Sequence, residues 1–557
     1  MNTPSGNPWA ILVALCLGFF MTLLDLTIVN IAIPDMTDRL GAALDHIMWV
    51  INGYTLVLAV LIITAGRLGD LFGQRRLFLV GVALFTVASA LCGLSPDVYT
   101  LIAARVVQGV GAAVLMPQTM ALIVRVFPPE RRGAAMGAWG AVAGLATITG
   151  PSLGGLLVTA LDWRFIFLIN LPVGAMALLL GWRLIPVDPP SARRPVLDVP
   201  GVLLATAALT LVSFALIEGE RFDWGRVYGP VTIPFLLGTG AALLALLAVQ
   251  QVRRQGRDPL VPFALFADRN FGLMSLAAAL VSVAMLSFFL LVSIHLQSVL
   301  GMSALEAGLT LVPQAAVSMV TAPVVGRLVD RVGGKYLLVG GCALFAVSAA
   351  WVVALLGTEG DWRTFLAPLL LMGLGVGAVF GPMNTLAMDR VRPDMAGAGS
   401  GVLNTARQLG SVVGGVVAGA LLQSVLADRI AARAREAAAG LPEPAREPFV
   451  RGLARSADQG VEVGGAGAAA PAPPEGVSAA TADQMAHLAR SVFADAFTET
   501  AHVVGLVPVA AMAVTALSAL AVRNTRRRGA ARGAGRTAGG RASGGGAAAR
   551  AGARAAE

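Results

Sequence analysis

Charge is what this sequence has least of: Asp, Glu, Lys and Arg make up 13% of its 557 residues, where a soluble domain carries roughly 25%. Hydrophobic residues make up 56%, a balance that excludes an ordinary soluble protein. Cysteine is scarce too. Cys16, Cys92 and Cys342 all lie inside apolar runs, without the spacing of a metal site or a disulfide framework, so they read as small hydrophobes and no metal is expected. Lys335 is the single lysine among 41 basic residues. No GxxxxGK[ST] stretch occurs, which speaks against ATP hydrolysis by this chain.

What is present is a series of apolar segments at approximately 9–33, 48–66, 76–95, 99–124, 135–159, 165–186, 199–217, 230–250, 271–295, 306–326, 337–357, 364–388, 398–425 and 501–522. Each is near the ~20 residues that cross a bilayer as helix, so the expected fold is an all-α polytopic membrane protein with fourteen spans. Trp9, Trp49, Trp163, Trp182, Trp224 and Trp362 mark segment ends, where an amphipathic ring prefers the headgroup level. The first segment lacks a basic lead-in and is too long for a signal sequence, so it is expected to remain as a span.

Basic residues fall in alternate connections: Arg67, Arg75 and Arg76; Arg125, Arg131 and Arg132; Arg183, Arg193 and Arg194; Arg253, Arg254 and Arg257; Arg327, Arg331 and Lys335. That asymmetry places those connections, and both termini, in the cytoplasm, as suits a multi-pass plasma-membrane protein. Of the net charge of +9, the last 35 residues carry +8. The basic character therefore belongs to a tail expected to be disordered and to meet anionic lipid, and it is no argument for nucleic acid. The connection 427–500 holds an Ala/Arg/Glu-rich stretch that reads as helix, a Gly/Ala/Pro-rich centre expected to be mobile, and a second helical stretch around Met485–Thr498.

The chain repeats itself. Gly66, Asp70, Gly73 and Arg75 after the second segment are echoed by Gly326, Asp330, Gly333 and Lys335 after the tenth, an offset of 260, which also maps Gly150, Gly154 and Gly155 onto Gly410, Gly414 and Gly415. The expected organisation is a six-helix bundle over 9–186, two inserted helices and a linker over 187–270, a second six-helix bundle over 271–522 with the long external connection, and the tail 523–557. Parallel repeats of this kind build alternating-access transporters with a substrate site at the repeat interface.

Several motifs occur in order: Leu24-Asp25 through Thr27 and Asn30 to Pro34; Gly66 to Arg76; Arg105, Gln108, Gly109 and Gly111; Gly150-Pro151 with Gly154-Gly155; and Trp163 to Asn170 and Pro172. Together they resemble the major facilitator superfamily, and within it the fourteen-helix drug:H+ antiporters of the EmrB/QacA type, over about residues 9–522. Leu71, Gln74 and Ala146 depart from the usual pattern. The resemblance implies an acidic site on span 1 at Asp25 for a proton or cation, a proton-transfer arginine at Arg105, and a gating loop with Gly66, Asp70, Gly73, Arg75 and Arg76. It further implies an antiporter motif at Gly150, Pro151, Gly154 and Gly155 between the two halves.

The polar residues within the spans say something independently, because intramembrane ions are costly and mark function by default. Asp25 and Arg105 sit at similar depth, ~12 and ~10 Å from the outer ends of their helices. Gly18, Thr22 and Asp25 share one face of span 1, expected to line a cavity. A carboxylate there gains or loses a proton with hydration and with its arginine neighbour, which suits a coupling element; a static ion pair that fixes packing is the alternative. Arg407, near mid-membrane beside Asn404, Thr405 and Gln408, reads as cavity lining or as a hydrogen-bond hub. Thr22, Gln108, Asn384, Asn404, Arg407 and Gln408 make up the expected substrate cavity. No acidic residue stands at mid-depth on spans 10 or 13, so neutral, weakly basic or anionic amphiphiles suit it better than multivalent cations. Glu306 reads as half of a capping box, and His295 as an interfacial histidine. Asp70 and Asp330 are read in loops, as latches or as solvated turns.

The resulting expectation is a monomeric exporter of small amphipathic compounds, driven by the proton gradient without a cofactor. A dedicated exporter or importer of one metabolite and a non-transporting sensor remain alternatives. A proton-pumping respiratory subunit would need mid-membrane lysines and glutamates that are not here.

Overall fold

The computed structural model describes the chain apart from residues 1–6, 43, 189–196, 220, 223, 256–258, 459–478 and 525–557. The centre of the long connection and the arginine tail lie outside the described residues. Among the described residues, fourteen helices are long and apolar enough to span a membrane: Pro8–Ala32, His46–Phe72, Gln74–Gly93, Val98–Val126, Pro129–Ala160, Phe165–Leu184, Val199–Glu218, Ile233–Arg253, Arg269–Val299, Leu305–Val332, Gly334–Leu355, Trp362–Met388, Pro393–Ala438 and Thr481–Leu520. We number them spans 1 to 14. The ends that carry the alternating arginines form the basic face.

Helix starts follow local chemistry. Asp97 caps span 4 by accepting from Thr100 N at 2.9 Å, and the hydrogen bonds from Thr100 hold its carboxyl below the ordinary carboxylate range. Asp361 caps span 12 in the same way through Arg363 N at 3.0 Å. The Ser303–Glu306 capping box opens span 10, with Ser303 N donating to Glu306 Oε2 at 2.8 Å. Gly73 and Gly333 turn the chain between spans 2 and 3 and spans 10 and 11 at φ of 101° and 87°, values that a side chain rarely tolerates. A short hairpin, Arg226–Tyr228 against Val231–Thr232, joins spans 7 and 8.

Spans 1–6 and spans 9–14 pack in the same pattern: span 4 lies against spans 2 and 3 as span 12 lies against spans 10 and 11, and span 1 lies against spans 5 and 6 as span 9 lies against spans 13 and 14. Spans 7 and 8 pair with each other, and span 7 touches spans 2 and 13. Glycines fix the equivalence. A Cβ on Gly109 would meet Tyr54 O and Val57, and one on Gly373 would meet Gln314 O and Val317. Gly111 likewise abuts Phe85, and Gly375 abuts Phe345. The offset is therefore 260 for spans 2 and 3 but 264 for spans 4 and 5, the extra residues lying at the end of span 11 and in its connection to span 12. This corrects the sequence alignment: Gly150 is equivalent to Gly414, and Ala146 to Gly410.

Two boundaries also differ from expectation. Spans 2 and 10 continue to Phe72 and Val332, so Asp70 and Asp330 stand in final helical turns rather than loops. The helix of span 13 runs unbroken from Ala396 to Ala438, 43 residues, and its far part forms a bundle with Glu443–Asp458 and with the first part of the helix Ala479–Val504. Leu422, Leu426, Ile430, Ala434 and Ala438 recur every four residues and are buried, with Phe449, Phe493 and Phe497 filling the space opposite. His295, at the end of span 9, is wholly buried and lies 5.9 Å from the Phe497 ring. It joins the bundle to the membrane part rather than facing the interface.

Candidate functional site

Span 1 brings Asp25 against span 4, and the sequence-predicted pair forms. Arg105 Nη1 lies 2.5 Å from Asp25 Oδ2, with the side chains 1% and 0% exposed. Gln108, one helical turn beyond Arg105, completes a triangle: Arg105 Nη1 donates to Gln108 Oε1 at 2.8 Å, and Gln108 Nε2 donates to Asp25 Oδ1 at 2.9 Å. Arg105 Nε donates to Val50 O at 2.9 Å on span 2, and its guanidinium lies 4.3 Å from the Tyr54 ring centroid. Ser89 of span 3 accepts from Gln108 at 3.2 Å and from Asn170 of span 6 at 3.0 Å, and donates to Phe167 O at 3.0 Å. Five spans thus meet on one polar network that excludes solvent.

Such a network is stable only while its members remain paired, because a lone buried charge costs several kcal/mol. Chemically it offers one carboxylate whose protonation would free a guanidinium and an amide. Thr22 is buried too, and its hydroxyl donates back to Phe19 O at 2.8 Å. A Cβ on Gly18 would meet Phe78 of span 3 at 3.1 Å. The Gly18, Thr22 and Asp25 face is therefore packed within spans 1–6, not on an open cavity, and Gln108 belongs to the Asp25 network. Ser89, Asn170 and Tyr54 were not among the expected site residues. Their signal was polarity inside apolar segments.

The remaining cavity candidates gather elsewhere. Arg407 Nη1 donates to Asn404 Oδ1 at 3.2 Å, and its Nη2 donates to Asn384 Oδ1 on span 12. Asn404 Nδ2 donates to Ser400 O at 2.9 Å. The guanidinium stands 5.8 Å from the ring centroids of both Phe380 and Trp139. Trp139 comes from span 5 and stacks on Phe19 of span 1 at 4.2 Å, so this cluster bridges spans 1–6 and spans 9–14. Gln408 is half-buried beside it. Trp139 escaped the sequence reading because the apolar segment starts at about 135, whereas the helix starts at Pro129 and carries Trp139 well inside it.

On the basic face the two repeats lock each other. Asp70 accepts from Gly397 N and Ala398 N at 2.8 and 2.7 Å, at the start of span 13. Asp330 accepts from Gly133 N and Ala134 N at 2.8 and 2.9 Å, at the start of span 5. A carboxylate suits a helix N-terminus, and the missing side chains of Gly66 and Gly326 let the backbones touch: a Cβ on either would strike the backbone of Gly397 or of Gly133. Gly73 makes room for Asp188, which accepts from Arg75 N and Arg76 N at 3.3 and 3.4 Å and pairs with Arg125. Arg75 also donates to Trp182 O at 2.5 Å.

Gly150 and Gly154 face span 1 within the same half: a Cβ on Gly150 would lie 2.7 Å from Thr27 Cβ, and one on Gly154 2.8 Å from Ile28 Cγ1. Gly155 has open space. The implied placement of this motif between the two halves is thus corrected for Gly150 and Gly154; the side chain of Pro151 lies outside the described residues. Among the described residues no group of three or more His, Cys, Asp or Glu is placed to hold a metal.

The comparisons agree with this architecture. An uncharacterized MFS-type transporter of Mycobacterium tuberculosis is 40% identical over 81% of this chain and 78% of its own length. The tetracenomycin C resistance and export protein of Streptomyces glaucescens is 36% identical over 76% of this chain and 77% of its own. A crystal structure of a human organic anion transporter covers 74% of this chain and 92% of that one with a TM-score of 0.50 and 16% identity, a likeness of fold. Residues 15–415 match the sequence model of the Major Facilitator Superfamily, and the chain belongs to that family.

Proposed function

We propose that this protein is a proton-coupled efflux transporter of small amphipathic compounds such as antibiotics. It would lie in the plasma membrane as a monomer with both termini in the cytoplasm, its arginine tail against anionic lipid. The observation that carries the coupling is the buried Asp25 carboxylate, held by Arg105 and Gln108 where five spans meet. Protonation removes the charge that holds Arg105 and so changes how spans 1 and 4 pack. The direction, export, is supported by a relative whose name describes resistance and export.

In this reading 9–186 and 271–522 are the rocking halves, 187–270 is an insertion, and no cofactor takes part. The Asp70 and Asp330 contacts close the basic, cytoplasmic face in the state described here, and must break for compound to enter. The test is proton movement: purified protein in proteoliposomes loaded with a pH dye should acidify or alkalinise the lumen when a transported amphiphile is added. Compound flux without proton flux removes the coupling from the proposal.

A further inference from the structure

Around Arg407 the structure leaves donors without acceptors. Arg407 Nε, Asn384 Nδ2 and Trp139 Nε1 are each buried and unbonded. Asn384 is 0% exposed and Trp139 3%. None of these groups can accept a hydrogen bond: a guanidinium and an indole N–H are donors only, as is the amide nitrogen. The acceptors already in place, Asn384 Oδ1 and Asn404 Oδ1, are neutral, and among the described residues no carboxylate pairs with Arg407. Among the described residues the half-buried guanidinium thus has amide oxygens as its hydrogen-bond acceptors and no carboxylate, unlike Arg105, which has Asp25.

The same place is aromatic. Trp139 and Phe19 stack at an interplanar angle of 18°, and the Phe380 ring centroid lies 5.8 Å from the guanidinium. Phe19 and Trp139 come from spans 1 and 5, and Phe380, Asn384 and Arg407 from spans 12 and 13. Arg407 is 11 residues beyond Ala396, ~16 Å into the helix, deeper than the Asp70 and Asp330 closures. A group bound here would touch both halves.

We propose that Arg407, Asn384 and Trp139 recognise the anionic head, a carboxylate or ionised phenol, of an aromatic amphiphile whose ring lies against Trp139, Phe19 and Phe380. This deepens the efflux reading by naming a substrate class, and it rests on that reading for the identity of the bound compound as cargo. Planar oxyanions match a guanidinium fork that holds two acceptors at once, and the spare donors of Asn384 and Trp139 meet the lone pairs that remain. A cationic amphiphile would meet a like charge and no acceptor beyond the two amide oxygens.

The test uses the full chain in nanodiscs with a matched pair of fluorescent probes, 9-anthracenecarboxylate and its methyl ester, read by equilibrium binding at pH 7.5. The wild type is expected to bind the carboxylate about tenfold tighter than the ester, the scale of one charge-assisted hydrogen-bond pair. Arg407→Gln is expected to lose that preference while still binding the ester, which shows that the variant is folded, and Arg407→Lys to keep part of it. Glu499→Ala, in an exposed ion pair far from this cluster, is expected to keep the preference entire. Equal binding of the two probes by the wild type, no binding of either, or a preference that survives in Arg407→Gln overturns the proposal and leaves ordered water as the partner of these donors. Failure of the efflux reading is seen separately: carboxylate-selective binding with no gradient-driven flux of any probe would keep the site and remove its role in transport.

Discussion

Asp25 and Arg105 neutralise each other across spans 1 and 4 at 2.5 Å, with Gln108 bonded to both. The two partners are not equally supported. Arg105 keeps Val50 O, Gln108 and the Tyr54 face if Asp25 loses its charge, whereas the carboxylate without Arg105 keeps only Gln108. Arg105→Leu should therefore lower stability by about 3–5 kcal/mol, Asp25→Asn by less, and Asp25→Leu combined with Arg105→Leu should recover part of the loss. Thermal unfolding in detergent gives the ranking; Arg105→Leu melting with the wild type would contradict it.

Gly150 and Gly155 are close in sequence but opposite in consequence. A methyl at Gly150 meets Thr27, and one at Gly155 meets nothing within 4 Å. Gly150→Ala should cost about 1–3 kcal/mol through overpacking, and Gly155→Ala should stay within about 0.5 kcal/mol of the wild type. Melting temperatures of the two variants settle it, and equal losses would place the close contact elsewhere.

The latch should be adjustable. Asp70→Ala removes the cap that joins span 2 to the start of span 13, a contact worth about 0.5–2 kcal/mol, and so should favour opening of the basic face by about 2- to 30-fold. A cysteine replacing the buried Ser400 should react correspondingly faster with a membrane-impermeant maleimide applied from that face. Asp330→Ala should act in the same direction through span 5, and unchanged labelling in both would mean that these carboxylates do not hold the closure.

In the bundle at the far end of span 13, Phe497 is buried at 0% exposure, while Glu499 pairs with Arg429 and Arg433 on the surface. Phe497→Ala should expose the bundle to limited proteolysis, at a cost of about 3–5 kcal/mol. Glu499→Ala should change it little, since exposed pairs contribute about 0–1 kcal/mol. Equal protease sensitivity would show that the bundle does not depend on this core.

Deleting the residues after Asn524 removes most of the arginine tail. Membrane abundance should fall while flux per molecule stays the same, as measured by quantitative immunoblot beside transport; a loss of specific flux would give the tail a part in turnover.

The sequence made the spans legible because hydrophobicity alone decides which helices cross a bilayer, and the shared depth of Asp25 and Arg105 followed from counting residues. The direction in which a side chain points was harder to read. Thr22 and Gln108 turn into the packing of spans 1–6 because of neighbours that lie far away in sequence, such as Phe78 and Ser89. Hydropathy also stops short where a helix leaves the apolar layer, so Asp70 was read in a loop, and the Ala/Arg/Glu-rich end of span 13 looked like a connection although its backbone stays helical to Ala438. The repeat slipped by four residues because glycines are dense enough in spans 5 and 13 to match in more than one register. Trp139 was passed over because tryptophan in a membrane protein first suggests the interface.

The central claim is that Asp25 couples compound export to proton entry. Efflux of a fluorescent amphiphile from proteoliposomes under an imposed pH gradient, wild type against Asp25→Asn, tests it most directly. The account predicts gradient-driven efflux by the wild type and its loss in Asp25→Asn, with binding of the compound retained. Equal gradient-driven efflux in both proteins would contradict it and leave the Asp25–Arg105 pair as a fixed element of packing.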